Sequence, residues 1–146
     1  RGLLMIYLDT SILVSLLVRE AQSAKVSTWF GLLAQEAITI SEWTCTEFSS
    51  TIGMKVRMGE LTADLARETL GTFRALADDS LNVLIPERAD HLLSSQYLQQ
   101  FDLGLRAGDA LHLAIAANHG ARVIYTLDRR LVEISRKLKI KARVPV

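Results

Sequence analysis

Leu3-Leu4-Met5-Ile6-Tyr7-Leu8-Asp9-Thr10-Ser11 is the stretch on which the reading of this chain turns. Its apolar part carries no polar interruption and stops at an aspartate. A short continuous apolar run fits a strand buried on both faces, as in a parallel sheet. A second run, Val123-Ile124-Tyr125-Thr126-Leu127, stops the same way at Asp128. Between these two, Ala37 to Ile40 and Val83 to Ile85 predict two more strands, the latter closed by Pro86. Arg122 to Leu127 is then the fourth, and Ile140 to Val144 a fifth at the sheet edge.

Helical patterns fill the intervals. Thr10 or Ser11 is suited to cap a short helix through Val18. Ser23 to Glu36 carries Val26, Trp29, Phe30 and Leu33 at helical spacing. Ser41 or Thr44 is suited to cap a helix to Met58, ended by Gly59 where a left-handed residue is wanted. Thr62 opens another helix to Ala77, and Asp78-Asp79-Ser80 reads as a turn. A helix from Arg88 to Phe101 and a loop from Asp102 to Gly108 follow. Gly108 or Asp109 then opens a small-residue helix ending at His119-Gly120. Asp128 caps a last helix to Leu138. Strands alternating with helices predict a three-layer α/β/α sandwich around a central, mostly parallel sheet of four or five strands. With 146 residues and no linker or repeat, one domain over 1–146 is expected.

Composition narrows the classes. A hydrophobic share of 49% supports a real core, and 23% charged residues argue against disorder. No apolar run approaches the ~18 residues that suggest a membrane-spanning helix. The aspartate at position 9 interrupts the first run and no small-residue cleavage site follows, so a signal peptide is not expected. Met5 is a possible native start. A single cysteine, Cys45, forms no internal disulfide and builds no cysteine zinc cage. A cytoplasmic location is the expectation. Net charge is +1, but seven of the 17 basic residues lie between Arg129 and Arg143, opposed there only by Glu133. Such a basic end could hold phosphates, or serve only as a solvated helix face.

The acids carry the chemistry. In an open parallel sheet, strand C-termini and the starts of the following helices share one edge, where ligands bind. Asp9, Glu47, Asp109 and Asp128 all map to that edge. Carboxylates gathered there repel one another unless a cation neutralises them. All-oxygen ligation suits Mg²⁺ or Mn²⁺, and a phosphodiester is the natural substrate of such a site. Each acid also has a plainer reading. Thr44-Cys45-Thr46-Glu47 fits a capping box, Asp109 suits a helix dipole, and Asp128 an N-cap. Thr10 and Ser11 offer hydroxyls for capping, which leaves Asp9 free for other work. Ser11 and Thr126 are candidate supporting hydroxyls. Arg106, Arg129 and Arg130 are candidate contacts to substrate. His112 shares a helix face with Asp109, and a packed, hydrogen-bonded histidine is expected there rather than a ligand. No G-x-S-x-G, P-loop or dinucleotide fingerprint is present.

Tyr7-Leu8-Asp9-Thr10-Ser11, Thr46-Glu47-Phe48, Ala107-Gly108-Asp109-Ala110-Leu111-His112-Leu113-Ala114 and Thr126-Leu127-Asp128 occur in that order. This series resembles the PIN-domain family, and within it the VapC-type toxins of bacterial and archaeal toxin–antitoxin pairs. The resemblance covers essentially the whole chain. It implies a metal-dependent endoribonuclease that hydrolyses RNA with a metal-activated water. Asp9, Glu47, Asp109 and Asp128 match the acid quartet that holds Mg²⁺ or Mn²⁺, and Ser11 matches the small hydroxyl position. It also implies a cognate antitoxin and a homodimer. The alternative is a catalytically weak PIN-like module that binds RNA or protein. Trp29, Phe30, Trp43 and Phe48 lie on early helices that cannot all face one core. They predict a hydrophobic groove for an antitoxin peptide or a dimer face.

Overall fold

In a computed structural model, which describes residues 4–33 and 36–146, the opening apolar run forms strand β1 (Leu4–Leu8). It is flanked by β2 (Glu36–Ser41) and β4 (Val123–Tyr125), with β3 (Asn82–Leu84) and β5 (Ala142–Arg143) at the edges. The order is β3-β2-β1-β4-β5 and every pairing is parallel. The expected mostly parallel sheet therefore has five strands. Leu3, expected in the first strand, lies outside the described residues.

Strand alternation divides the core in two. Ile6 and Leu8 point into one cluster, with Ile12, Leu13, Val26, Phe48, Ile52 and Phe73. That cluster is built by α1 (Thr10–Leu17), α2 (Ser23–Gly31), α3 (Glu42–Arg57) and α4 (Ala63–Ser80). Tyr7 points the other way, to Leu111, Leu113, Ile115, Ile124 and Leu131. The second layer comprises α5 (Arg88–Leu98), α6 (Ala107–Asn118) and α7 (Arg129–Lys137). The result is the expected α/β/α sandwich.

Several boundaries moved, each for a physical reason. α2 stops at Gly31, not Glu36, because Glu36 pairs with Leu4 in the sheet and its carboxylate meets the Arg122 guanidinium. Ala34 and Gln35 of that expected helix lie outside the described residues. α4 runs on through Asp78-Asp79-Ser80, its apolar side still buried at Phe73 and Ala77. Packing of that face overrides the local turn chemistry. α5 ends at Leu98. A single 3₁₀ turn, Phe101–Leu103, follows and closes on Gly104 at φ 67°. Gly59 ends α3 at φ 77°, as expected.

Candidate active site

The chain crosses from β1 to β2 and β3 on one side, then returns to place β4 on the other side of β1. The gap between the C-terminal ends of β1 and β4 is thus a topological switch point, where α/β sheets bind ligands. Asp9 follows β1 there, its backbone N–H bonded to the Tyr125 carbonyl at 3.1 Å. Its side chain caps α1, accepting from Ser11 N at 3.0 Å and from Ser11 Oγ at 2.5 Å. The cap is therefore Asp9, not Thr10 or Ser11, and the expectation that those hydroxyls free Asp9 from capping is corrected. Both bonds fall on Oδ1, so capping fixes the carboxylate at one oxygen. Ser11 Oγ in turn accepts from Leu127 N at 3.0 Å, tying the ends of β1 and β4 together. Asp9 is 5% exposed, and burial pushes its carboxyl above the usual range, against the pull of the nearby His112 and Ser11.

Glu47 comes from α3, in the same layer as the α1 that Asp9 caps. The capping box at the start of α3 is Ser41 with Thr44, one turn earlier than the Thr44–Glu47 alternative. Glu47 is thereby released from helix capping. Its Oε1 instead meets Thr10 Oγ1 at 2.6 Å and His112 Nε2 at 2.5 Å. Burial alone would raise this carboxyl. The His112 bond and charge, together with Thr10, outweigh burial and hold it below the usual range.

Asp109 sits in the first turn of α6, which opens at Ala107 with Arg106 as N-cap, slightly earlier than expected. Burial raises its carboxyl and Asp9 raises it further, while His112 and Arg106 pull it down and Asp128 adds a smaller push. Asp128 caps α7 as expected, Oδ1 accepting from Arg130 N at 2.9 Å and Leu131 N at 3.3 Å. All four acids line one cavity of about 570 Å³, together with Ser11, Arg106 and His112. The cavity continues along α1 and α3 past Ser50 and Thr51 to Glu20.

The other candidates divide. Thr126 does not line the cavity; fully buried, it accepts from Asp128 N at 3.0 Å, and its side chain also bonds the Asp9 carboxylate and pulls it down, as a supporting hydroxyl would. Arg129 and Arg130 do not line it either. The Arg130 guanidinium bonds the Gly104 carbonyl, and Arg129 borders a separate groove with Arg136 and Arg143. The expected aromatic groove is not formed by its four members. Phe48 is fully buried and stacks on Phe73, Trp29 packs edge-on to Tyr125, and Phe30 joins the same core. Trp43 packs on the second core and donates Nε1–H to the Gly108 carbonyl at 3.1 Å. Sequence reasoning missed Thr10, Tyr7 and Gly108 as neighbours of the acids. Strand alternation could have set Tyr7 on the face opposite Ile6 and Leu8, but not the helix that it meets there.

The donor set suits a hard divalent cation, being all oxygen. The like-charge burden on Asp109 is one that a cation would relieve. Among the described residues, though, no three His, Cys, Asp or Glu side chains converge closely enough to hold a metal ion as they stand. No described helix is long and apolar enough to cross a membrane.

A family model for the PIN domain matches residues 6–137. No curated protein sequence matches the chain. Among solved structures, VapBC2 from Rickettsia felis, bound to a promoter DNA fragment, superimposes with TM-score 0.74 at 16% identity, covering 97% of this chain and 98% of the other. FitAcB from Neisseria gonorrhoeae gives 0.70 at 17%, covering 97% and 98%. VapC20 from Mycobacterium tuberculosis, a toxin that cleaves the sarcin–ricin loop, gives 0.68 at 15%, covering 88% and 93%. At such identities the likeness is one of fold.

Proposed function

The chain belongs to the PIN domain family, and from that premise we propose that it is a divalent-metal-dependent endoribonuclease, the toxin of a toxin–antitoxin pair. The observation that supports this most is that Asp9, Asp109 and Asp128, from three separate elements, line one cavity at the sheet switch point. Burial raises the Asp109 carboxyl and the neighbouring Asp9 raises it further.

In this reading Asp9, Asp109 and Asp128 hold Mg²⁺ or Mn²⁺, directly or through water, with Glu47 beside them. The cation supplies Lewis acidity toward water and the phosphodiester. The protein's own groups do the placing. Ser11 fixes Asp9 at one oxygen, and Thr126 sets the turn that presents Asp128. Arg106, at the cavity wall, takes a non-bridging phosphate oxygen and offsets the repulsion between acids and RNA backbone. Glu47, held through Oε1, orients the attacking water with Oε2. In-line hydrolysis then leaves 5′-phosphate and 3′-hydroxyl ends. Arg129 and Arg130, outside the cavity, contact RNA backbone further along the strand.

A structure from Klebsiella pneumoniae that shares this fold is a toxin–antitoxin complex by name. By that analogy a cognate antitoxin covers the cavity and two copies pair as a homodimer, in a cytoplasmic protein whose residues 1–146 act as one domain. The separation of the acids favours a second reading, a catalytically weak module that binds RNA or protein. One assay distinguishes the two. The purified chain is incubated with total RNA in Mn²⁺ and in EDTA. Cleavage in Mn²⁺ with 5′-phosphate ends, abolished by EDTA, is the expected result. RNA binding without cleavage in Mn²⁺ favours the binding module.

A further inference from the structure

His112 is 1% exposed, and both of its ring nitrogens are engaged. Nδ1 lies 2.7 Å from the Tyr7 hydroxyl. That hydroxyl, fully buried, also lies 2.8 Å from Ser41 Oγ and 3.5 Å from Thr44 Oγ1. Nε2 lies 2.5 Å from Glu47 Oε1. A carboxylate only accepts, so Nε2 carries the proton and donates it. Thr10 Oγ1 donates to the same oxygen. Two donors on one oxygen fix the rotation of the Glu47 carboxylate.

The other oxygen lies beside Gly108. A Cβ on Gly108 would stand 2.8 Å from Glu47 Oε2, so the carboxylate fills the space that glycine leaves at the start of α6. The Trp43 indole holds that turn through the Gly108 carbonyl. A leucine and a phenylalanine would fill the volume of His112 and Tyr7 without the cost of burying polar groups. What the polar pair adds is a line of hydrogen bonds from the end of β2 to a carboxylate that lines the cavity.

We propose that His112 is a positioning residue: anchored through Nδ1 by Tyr7, it holds Glu47 through Oε1 and so presents Oε2 to the cavity. This rests on reading the cavity as a ribonuclease site. Two substitutions of similar size separate positioning from mere packing. His112→Gln carries an amide nitrogen to about the Nε2 position. His112→Asn reaches only about as far as Nδ1. On RNA in Mn²⁺, and at a temperature where melts show both variants folded, Asn lowers kcat by about tenfold or more with KM little changed. Gln recovers most of that loss. A second readout needs neither metal nor RNA. In ¹⁵N-histidine-labelled protein, the Nε2 proton of His112 exchanges slowly with water, and Glu47→Ala abolishes that protection. Equal kcat for Asn and Gln overturns the proposal, as does an Nε2 proton whose exchange is unchanged in Glu47→Ala. A wild type that cleaves no RNA overturns the ribonuclease reading instead, and the proton-exchange result alone then decides the role of His112.

Discussion

Glu47 and Asp109 line the same cavity, yet their surroundings treat the two negative charges in opposite ways. Glu47 is met by His112 and Thr10, and its carboxyl lies below the usual range. Asp109 is buried beside Asp9 and Asp128, and its carboxyl lies above the usual range despite Arg106 and His112. Glu47 is thus compensated by His112 and Thr10, while burial and neighbouring acids keep the Asp109 carboxyl raised despite His112 and Arg106. In the proposed reading, Glu47 is held in place by the protein and the three aspartates take the cation. This asymmetry is not visible in a tally of four acids.

The largest effect that bears on the comparison is on turnover. Asp9→Asn should abolish detectable RNA cleavage, a loss of roughly a hundredfold or more in kcat/KM. Glu47→Gln, which keeps an acceptor for His112, should lose less, about tenfold. Steady-state assays of both in the same Mn²⁺ buffer check this. Equal losses would break the distinction between the two acids.

Stability should move the other way. In metal-free protein Asp109→Asn removes a penalised charge and should raise the melting temperature by a few degrees, as about 1 kcal/mol does in a domain of this size. Glu47→Ala strands the His112 and Thr10 donors and should lower it. Thermal melts in EDTA read both signs, and a destabilised Asp109→Asn contradicts the account.

The pH dependence sharpens the same contrast. Asp9 and Asp109 have raised folded-state values, so the folded protein binds their protons more tightly than the unfolded chain does. Their contribution is fully present below the unfolded carboxylate range and is lost as pH rises through the raised values. Glu47 is depressed, so its contribution is present above the unfolded value and is lost as pH falls through the lowered one. Acidification from neutrality in EDTA should therefore first stabilise the protein and later destabilise it. Asp9→Asn should flatten the first rise. A stability that only falls from neutrality downward is the contrary result.

The smallest expected effect lies outside the cavity. Arg129 and Arg130 do not line it, so their double Ala variant should weaken RNA binding severalfold and make its salt dependence shallower, with Mn²⁺ binding unchanged. Filter binding over a salt series measures this. An unchanged slope identifies the α7 basic residues as a solvated helix face.

The sheet and the three aspartates could be read from sequence because their signals are local. Two apolar runs end in aspartate, and a small-residue helix begins with one. Four or five strands, their order of appearance and the sandwich followed from the alternation of patterns. Glu47 was ambiguous because Thr44-Cys45-Thr46-Glu47 satisfies a capping pattern. Only the fold shows that Ser41 takes Thr44 for its own box and leaves Glu47 to His112. The Tyr7–His112 contact joins residues 105 positions apart and has no local signature. The aromatic residues misled for a similar reason. Four of them on early helices suggested a groove, but the sheet offers two cores and both take a share. Likewise, no local rule shows that Glu36 pairs with β1 rather than ending α2.

The central claim of the proposed function is that Asp9, Asp109 and Asp128 bind a divalent cation with little contribution from Glu47. Its most direct test is the thermal shift produced by Mn²⁺ alone, since a ligand that binds only the folded state raises the melting temperature. Mn²⁺ should raise the melting temperature of the wild type and of Glu47→Gln, and should leave Asp109→Asn close to its metal-free value. No shift in the wild type, or an equal shift in Asp109→Asn, would contradict the account.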